Sequence, residues 1–184
     1  MNNQLNGFTK IEFLVIIISI AYGFCIVELL TNWSRIIRKR LFYGETIVWS
    51  GVIFIGILVL WYNSWDHIFL VERNSATFIG TLIPPIGLFV MVSALFPDQH
   101  DHWDLKRAFD QNRKTFFLSY TLVNASIMTL SNLAGSPTIV LNYSRSFWIV
   151  ACILMYFIDS KVLRYVMAAG LISWYAYLII FTNF

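Results

Sequence analysis

Residues 11–30 of the chain read IEFLVIIISIAYGFCIVELL, an apolar run that contains two charged residues, Glu12 and Glu28. At a rise of about 1.5 Å per residue, a helix of this length spans the hydrocarbon core of a bilayer, which is about 30 Å thick. The preceding residues lack the basic region and cleavage site of a signal peptide. The apolar run is also too long for the hydrophobic region of a signal peptide. We therefore expect residues 11–30 to form a retained transmembrane helix.

The composition of the whole chain agrees with a membrane location. Of the 184 residues, 58% are hydrophobic and 12% are charged, against about 25% charged residues in a soluble domain. This composition excludes a soluble globular domain and a disordered chain. The net charge of +3 is too small to indicate a nucleic-acid partner. Cys25 and Cys152 both lie in apolar runs, which indicates packing rather than a disulfide.

Five further apolar segments follow the first one, so the sequence predicts an all-α integral membrane protein. We expect a single transmembrane domain over residues 1–184, folded as a compact bundle of six transmembrane helices. The predicted spans are residues 11–30, 47–65, 76–96, 115–133, 138–158 and 162–182.

The positions of the basic residues predict the orientation of this bundle. The first, third and fifth connections hold ten of the thirteen Lys and Arg residues. Cytoplasmic loops carry the excess of Lys and Arg in membrane proteins. The distribution therefore predicts that both termini lie on the non-cytoplasmic side. The general type is that of a multipass protein of a bacterial cytoplasmic (inner) membrane.

Arg145 is the most informative single residue for function. It comes eight residues after Pro137, which places it about 12 Å below the outer surface if the fifth helix begins there. A cation at that depth usually faces the bundle interior or a wet cavity and has a partner. We expect that partner to be Glu12. Alternatively, the fifth span begins near Ser146 and Arg145 reaches the interface.

Two adjacent prolines, Pro84 and Pro85, lie near the middle of the third span. Each proline lacks a backbone donor, which frees the carbonyls of Gly80 and Thr81. Broken helices of this kind can form ion or substrate sites from backbone dipoles. The alternative is a simple kink that neighbouring helices accommodate.

The fourth span carries a stripe of polar side chains at three- and four-residue spacing, which places them on one face of a helix. Its members are Tyr120, Thr121, Asn124, Ser131 and Asn132. This stripe predicts either hydrogen bonds between helices or the wall of a polar path. The path for an ion or solute would also include Arg145, Asn142 and the backbone near the two prolines.

Two groups of residues mark the cytoplasmic end of the first helix. Glu28, Asn32 and Arg35 share one helix face and predict an inner gate, or an ion pair of Glu28 with Arg35, Lys161 or Arg164. The basic residues that follow alternate with apolar ones, which is typical of a segment that binds anionic lipid headgroups. The predicted lipid-binding residues are Arg38, Lys39 and Arg40.

Catalytic and metal-binding signatures are missing from the sequence. The chain has no GxSxG, HExxH, P-loop or dinucleotide-binding pattern, so we expect no enzyme activity and no cofactor. His100 and His102 lie among three aspartates, but no Cys or further His lies near them to complete a zinc site. We interpret this loop as a hydrated turn and expect no metal site.

Together these features predict one of two functions. The first is an ion channel or small-solute permeation pathway that forms as a homo-oligomer, because six helices alone leave little room for an aqueous path. The second is a membrane-embedded sensor, effector or partner subunit without transport activity, whose basic loops bind lipid or a protein partner. An anion would suit Arg145 better than a cation in the first case.

Overall fold

A computed structural model describes residues 10–64, 75–96, 104–133 and 139–181 of the chain. These ranges form six α-helices and contain no strand. The helices are α1 Lys10–Lys39, α2 Gly44–Asn63, α3 Ser75–Leu95, α4 Leu105–Leu133, α5 Ile139–Phe157 and α6 Lys161–Phe181. The predicted all-α architecture is confirmed for the described residues.

Four of the helices are long and apolar enough to cross a membrane: α1 from Glu12, α2, α3 from Thr77 and α6 to Ile180. Their outer faces carry large exposed apolar side chains such as Phe24 and Val162. In water such faces would favour association or aggregation, whereas lipid solvates them. The structure therefore supports the membrane character that the composition predicts.

Two helices are longer than the spans predicted for them. α1 continues past residue 30 to Lys39, and α4 begins at Leu105 rather than at residue 115. Both extensions are amphipathic, with Ile36 buried on α1 and with Leu105 and Phe109 buried on α4. Apolar residues at three- and four-residue spacing support a helix even where polar residues occupy the other face. The two segments lie outside the predicted spans because those spans comprise only the apolar runs.

The helices pack around α3 and α4, which form the most extensive interface of the bundle. Gly87 on α3 allows this close approach, because a Cβ atom there would lie 2.5 Å from Cγ2 of Val123 on α4. α5 packs mainly on α4, α1 mainly on α3, and α2 mainly on α6 and α3. Small residues at helix crossings are typical of membrane bundles.

An aromatic cluster forms the core where α2 meets α4. The ring of Trp49 lies edge-on to the rings of Phe116 and Phe117, with centroid distances of 5.3 Å in both cases. Phe109 extends the cluster toward the start of α4, at 5.9 Å from Phe116. Edge-to-face geometry is favourable for aromatic pairs. The cluster lies directly beneath a group of charged residues at the same end of the bundle.

Candidate functional site: a buried ion network

The site begins at the start of α2. Glu45 lies in the first helical turn, where a carboxylate interacts favourably with the helix dipole, and only 1% of its side chain is exposed. The hydroxyl of Tyr43, two residues earlier, donates a hydrogen bond to Oε2 of Glu45. Burial, reinforced by this carboxylate, raises the pKa of Tyr43. Tyr43 therefore stays protonated and serves as a donor at neutral pH.

Arg164 provides the positive charge opposite Glu45. It lies in the first turn of α6 and its side chain is also 1% exposed. Its Nε donates to Oε1 of Glu45 at 2.8 Å, and its Nη2 donates to Oε2 at 3.2 Å. The guanidinium lies 5.7 Å from the ring centroid of Phe109. The planar fork of arginine suits this bidentate contact, which a lysine could not make.

Asp159, in the connection between α5 and α6, extends the network to the surface. Its Oδ1 accepts a hydrogen bond from Nη1 of Arg164 at 2.6 Å and contacts Nη1 of Arg113 at 2.7 Å. Nη1 of Arg113, on α4, also donates to the carbonyl of Ile158 at 3.2 Å. The side chain of Asp159 is 72% exposed. The network therefore joins α2, α4 and α6 with the connection between α5 and α6.

The two arginines and two carboxylates balance in charge, and this balance permits the burial of Glu45 and Arg164. Removing a charge from water costs several kcal/mol, which only a partner of good geometry and full hydrogen bonding offsets. Arg164 meets this condition because Nε, Nη1 and Nη2 each have an acceptor. The arrangement holds the helices together at one end of the bundle.

The exposed member of the network makes stability depend on pH. The hydrogen bond from Arg164 lowers the pKa of Asp159 below its ordinary value of 3.8. A carboxylate whose pKa is lower in the folded state stabilises the fold above its unfolded pKa, and this stabilisation is lost as the pH falls through the folded pKa. We expect the thermal midpoint to decrease as the pH drops below about 4. In Asp159→Asn we expect the thermal midpoint to depend less on pH in this range.

Thermal unfolding in detergent between pH 2 and pH 7, roughly the range in which carboxylates titrate, measures this effect. Glu12→Gln is the control, because Glu12 is an exposed carboxylate at the start of α1, outside the network. A profile for Asp159→Asn that follows the wild type throughout would contradict the expected role of Asp159.

Comparison with known proteins gives no further assignment at this point. No family model, curated protein or solved structure matches the chain. The function therefore has to be argued from the geometry of the chain itself.

The structure gives Arg145 a different partner from the predicted Glu12. Nη1 of Arg145 on α5 donates to Oγ of Ser131 on α4 at 2.6 Å. Glu12 lies exposed at the start of α1, and α1 packs mainly on α3 rather than on α5. Asn142, one turn before Arg145, donates to Oδ1 of Asn132 at 2.8 Å. Arg145 and Asn142 thus both contact α4, along the seam between α4 and α5.

The other polar residues of α4 bond mainly to their own helix. Thr121 Oγ1 donates to the Phe117 carbonyl, and Asn124 Nδ2 donates to the Tyr120 carbonyl, both at 2.9 Å. Such bonds to the carbonyl four residues earlier satisfy a polar side chain inside a membrane. The hydroxyl groups of Tyr120 and Tyr175 share a 2.8 Å hydrogen bond between α4 and α6.

Pro84 and Pro85 are both buried, and α3 continues as one helix through them. The thiol of Cys25 on α1 donates to the Pro85 carbonyl at 3.4 Å. Pro84 borders a cavity of about 30 Å³ between α1, α2, α3 and α4, whose polar lining includes Tyr22 and Thr81. That volume holds about two water molecules.

Two residues of the predicted inner gate contact each other. Nδ2 of Asn32 donates to the backbone carbonyl and to Oε1 of Glu28, at 2.9 Å in both cases. Arg35 is half-buried one turn further along α1. Arg164, one of the suggested partners of Glu28, is bonded to Glu45 instead. Glu28 and Asn32 are thus brought together, as expected from their spacing on a helix.

The predicted lipid-binding residues Arg38, Lys39 and Arg40 are all exposed at the end of α1. Arg38 also donates to Oγ of Ser34 at 3.0 Å. His100 and His102 lie outside the described residues. Within the part of the chain that the structure describes, no three His, Cys, Asp or Glu side chains form a group that could hold a metal ion.

Sequence reasoning missed the ion network itself. The sequence patterns assign no functional role to Tyr43, Glu45, Arg113 or Asp159. They indicate Arg164 only as a partner of Glu28. One signal was present: Glu45 is the single acid of the basic first connection, residues 31–46, and Asp159 is the single acid of the fifth. An isolated acid in a basic connection indicates a specific partner, although it does not identify that partner.

Proposed function

We propose that this chain is a multipass protein of a bacterial cytoplasmic membrane that acts as a membrane-embedded partner or sensor subunit, without transport or enzyme activity. One observation carries the proposal: the polar residues of the predicted path form hydrogen bonds inside the bundle. Thr121 and Asn124 bond to α4 itself, and Arg145 and Asn142 bond across the seam between α4 and α5. Such contacts are typical of helix association in membranes.

The ion network supports the six-span topology within this proposal. Arg164 contacts Glu45 and Asp159, and Asp159 also contacts Arg113. The network therefore brings the predicted first, third and fifth connections to one end of the bundle. An alternating six-span chain has these three connections on the same side. They also hold most of the basic residues, which supports a cytoplasmic location for this end and a non-cytoplasmic location for both termini.

A homo-oligomeric channel or small-solute pathway is the second candidate function. Arg145 favours it, because among the described residues the side-chain partner of this half-buried cation is the neutral hydroxyl of Ser131. An anion passing between copies of the chain would supply the missing negative charge. The cavity beside Pro84 is too small to serve as such a path within one copy.

Ion flux from proteoliposomes distinguishes the two candidates. We expect the folded wild-type protein to give no flux above that of empty liposomes for a panel of anions, cations and protons. Flux that appears with the wild type and changes in Arg145→Leu would overturn the subunit proposal and establish the pathway instead.

Two variants test the structural role of Arg145 in the same preparation. Arg145→Leu removes the donor, and Ser131→Ala removes its acceptor while leaving the charge. If the contact serves packing, both variants lower the thermal midpoint, by amounts of the same order, and neither alters flux. A wild-type midpoint for both variants would contradict the packing role.

A further inference from the structure

The connection between α1 and α2 is a tight turn with an unusual residue at its first position. The N–H of Leu41 donates to the Ile36 carbonyl at 3.1 Å, and the N–H of Arg40 donates to the Ile37 carbonyl at 3.3 Å. This pair of bonds forms a Schellman motif, whose left-handed position is usually a glycine. Here Arg40 occupies it, with a φ of 52°, a conformation that L side chains disfavour.

Side chains alternate between the inside and the outside along this turn. Leu41 packs against the core, and Tyr43 bonds to the buried Glu45. Arg40, which precedes Leu41, is exposed, and so is Phe42, which lies between Leu41 and Tyr43 and is 69% exposed. Tyr43 has an extended backbone, with φ −119° and ψ 116°, and successive side chains of an extended segment point to opposite sides. The two inward anchors therefore fix the outward direction of Phe42, and Arg40 is itself exposed.

The last turn of α1 adds two residues of matching character. Ile37 is 65% exposed and Arg38 is exposed beside it. We define the α1–α2 patch as Ile37, Arg38, Arg40 and Phe42. No acidic residue occurs between residues 29 and 44. The patch therefore combines two guanidinium groups with two large apolar side chains, at the end of a helix that is apolar enough to cross a membrane.

We propose that the α1–α2 patch is a binding site for the headgroups of anionic phospholipids. Guanidinium groups bind phosphate oxygens in bidentate geometry, and Phe42 and Ile37 provide apolar contact at the boundary with the acyl chains. The inference rests on the proposed membrane location and adds to it a ligand and a preformed site. It also gives a reason for Arg40: glycine would relieve the backbone but remove a phosphate ligand.

Arg40→Gly removes the backbone strain and the phosphate ligand together. Measurements with and without anionic lipid separate the two effects. The full-length protein is reconstituted in vesicles of phosphatidylcholine alone or mixed with phosphatidylglycerol, and its thermal midpoint is measured. In phosphatidylcholine we expect Arg40→Gly to unfold at a higher temperature than the wild type. Adding phosphatidylglycerol raises the wild-type midpoint, and we expect the variant to lose most of this rise.

Lys106→Gln is the matched control, because it removes one exposed positive charge from α4 outside the patch. It should keep the wild-type rise. Equal losses in both variants would indicate attraction by net charge only and overturn the site, as would an undiminished rise in Arg40→Gly. A rise produced by inorganic phosphate in phosphatidylcholine vesicles would exclude a lipid-specific site. None of these readouts depends on ion flux, so the patch and the subunit proposal fail independently.

Discussion

Replacing Arg164 by methionine is expected to lower the free energy of unfolding by about 3–5 kcal/mol. The carboxylate of Glu45 is 1% exposed in the wild type. In the variant it lies opposite an uncharged side chain. Tyr43 would still donate to it, but one hydroxyl does not replace a bidentate guanidinium. Asp159 would keep its contact with Arg113. Equilibrium unfolding in mixed micelles measures the change.

Two controls show whether the buried pair causes this loss. Arg107→Met removes an exposed arginine of α4 that belongs neither to the network nor to the α1–α2 patch, and it should change stability by about 0.5 kcal/mol or less. The double variant Glu45→Leu with Arg164→Met removes both buried charges. It should recover most of the loss, because an apolar pair of similar volume is often as stable as a buried ion pair. A loss for Arg164→Met no larger than for Arg107→Met would show that the pair does not stabilise the fold.

Trp49→Ala is expected to cost a similar amount, about 3–5 kcal/mol. The indole of Trp49 is buried between α2 and α4 and makes edge contacts with Phe116 and Phe117. In a membrane the unfolded helices are already in an apolar solvent, so the cost comes mainly from lost van der Waals contact and from the cavity. We expect the ion network above this cluster to be weakened as well.

Trp61→Ala provides the comparison on the same helix. Trp61 lies near the end of α2 with an exposed ring, so its removal should change the free energy of unfolding by about 0.5 kcal/mol or less. The same unfolding assay serves both variants. Equal effects of the two substitutions would mean that the aromatic cluster does not form the core of the bundle.

Both predictions concern the same end of the molecule. The aromatic cluster and the ion network share Phe109, which packs on Phe116 and lies beside the guanidinium of Arg164. Tyr43 links the ion network to the α1–α2 patch. It belongs to the network and also anchors the turn that presents Arg40 and Phe42. Changes in the network are therefore expected to alter the response to anionic lipid as well.

Local properties of the sequence are enough to predict a helical, membrane-like chain. The length of an apolar run and its spacing are local properties, and they decide whether a segment can form a helix of membrane length. All six predicted segments coincide with helices, although α1 and α4 extend beyond their apolar parts. The pairing of Glu28 with Asn32 was accessible for the same reason, because residues four apart in a helix are neighbours.

The contacts between residues far apart in the sequence depend on how the helices pack. Glu45 and Arg164 are 119 positions apart, and no local pattern connects them. Depth in the membrane alone predicts Glu12 as the partner of Arg145. The partner also depends on which helices are adjacent and on how each helix is rotated about its axis. Packing places α5 on α4, so Arg145 meets Ser131. Periodicity specifies the face of a helix that is buried, whereas packing specifies what that face contacts.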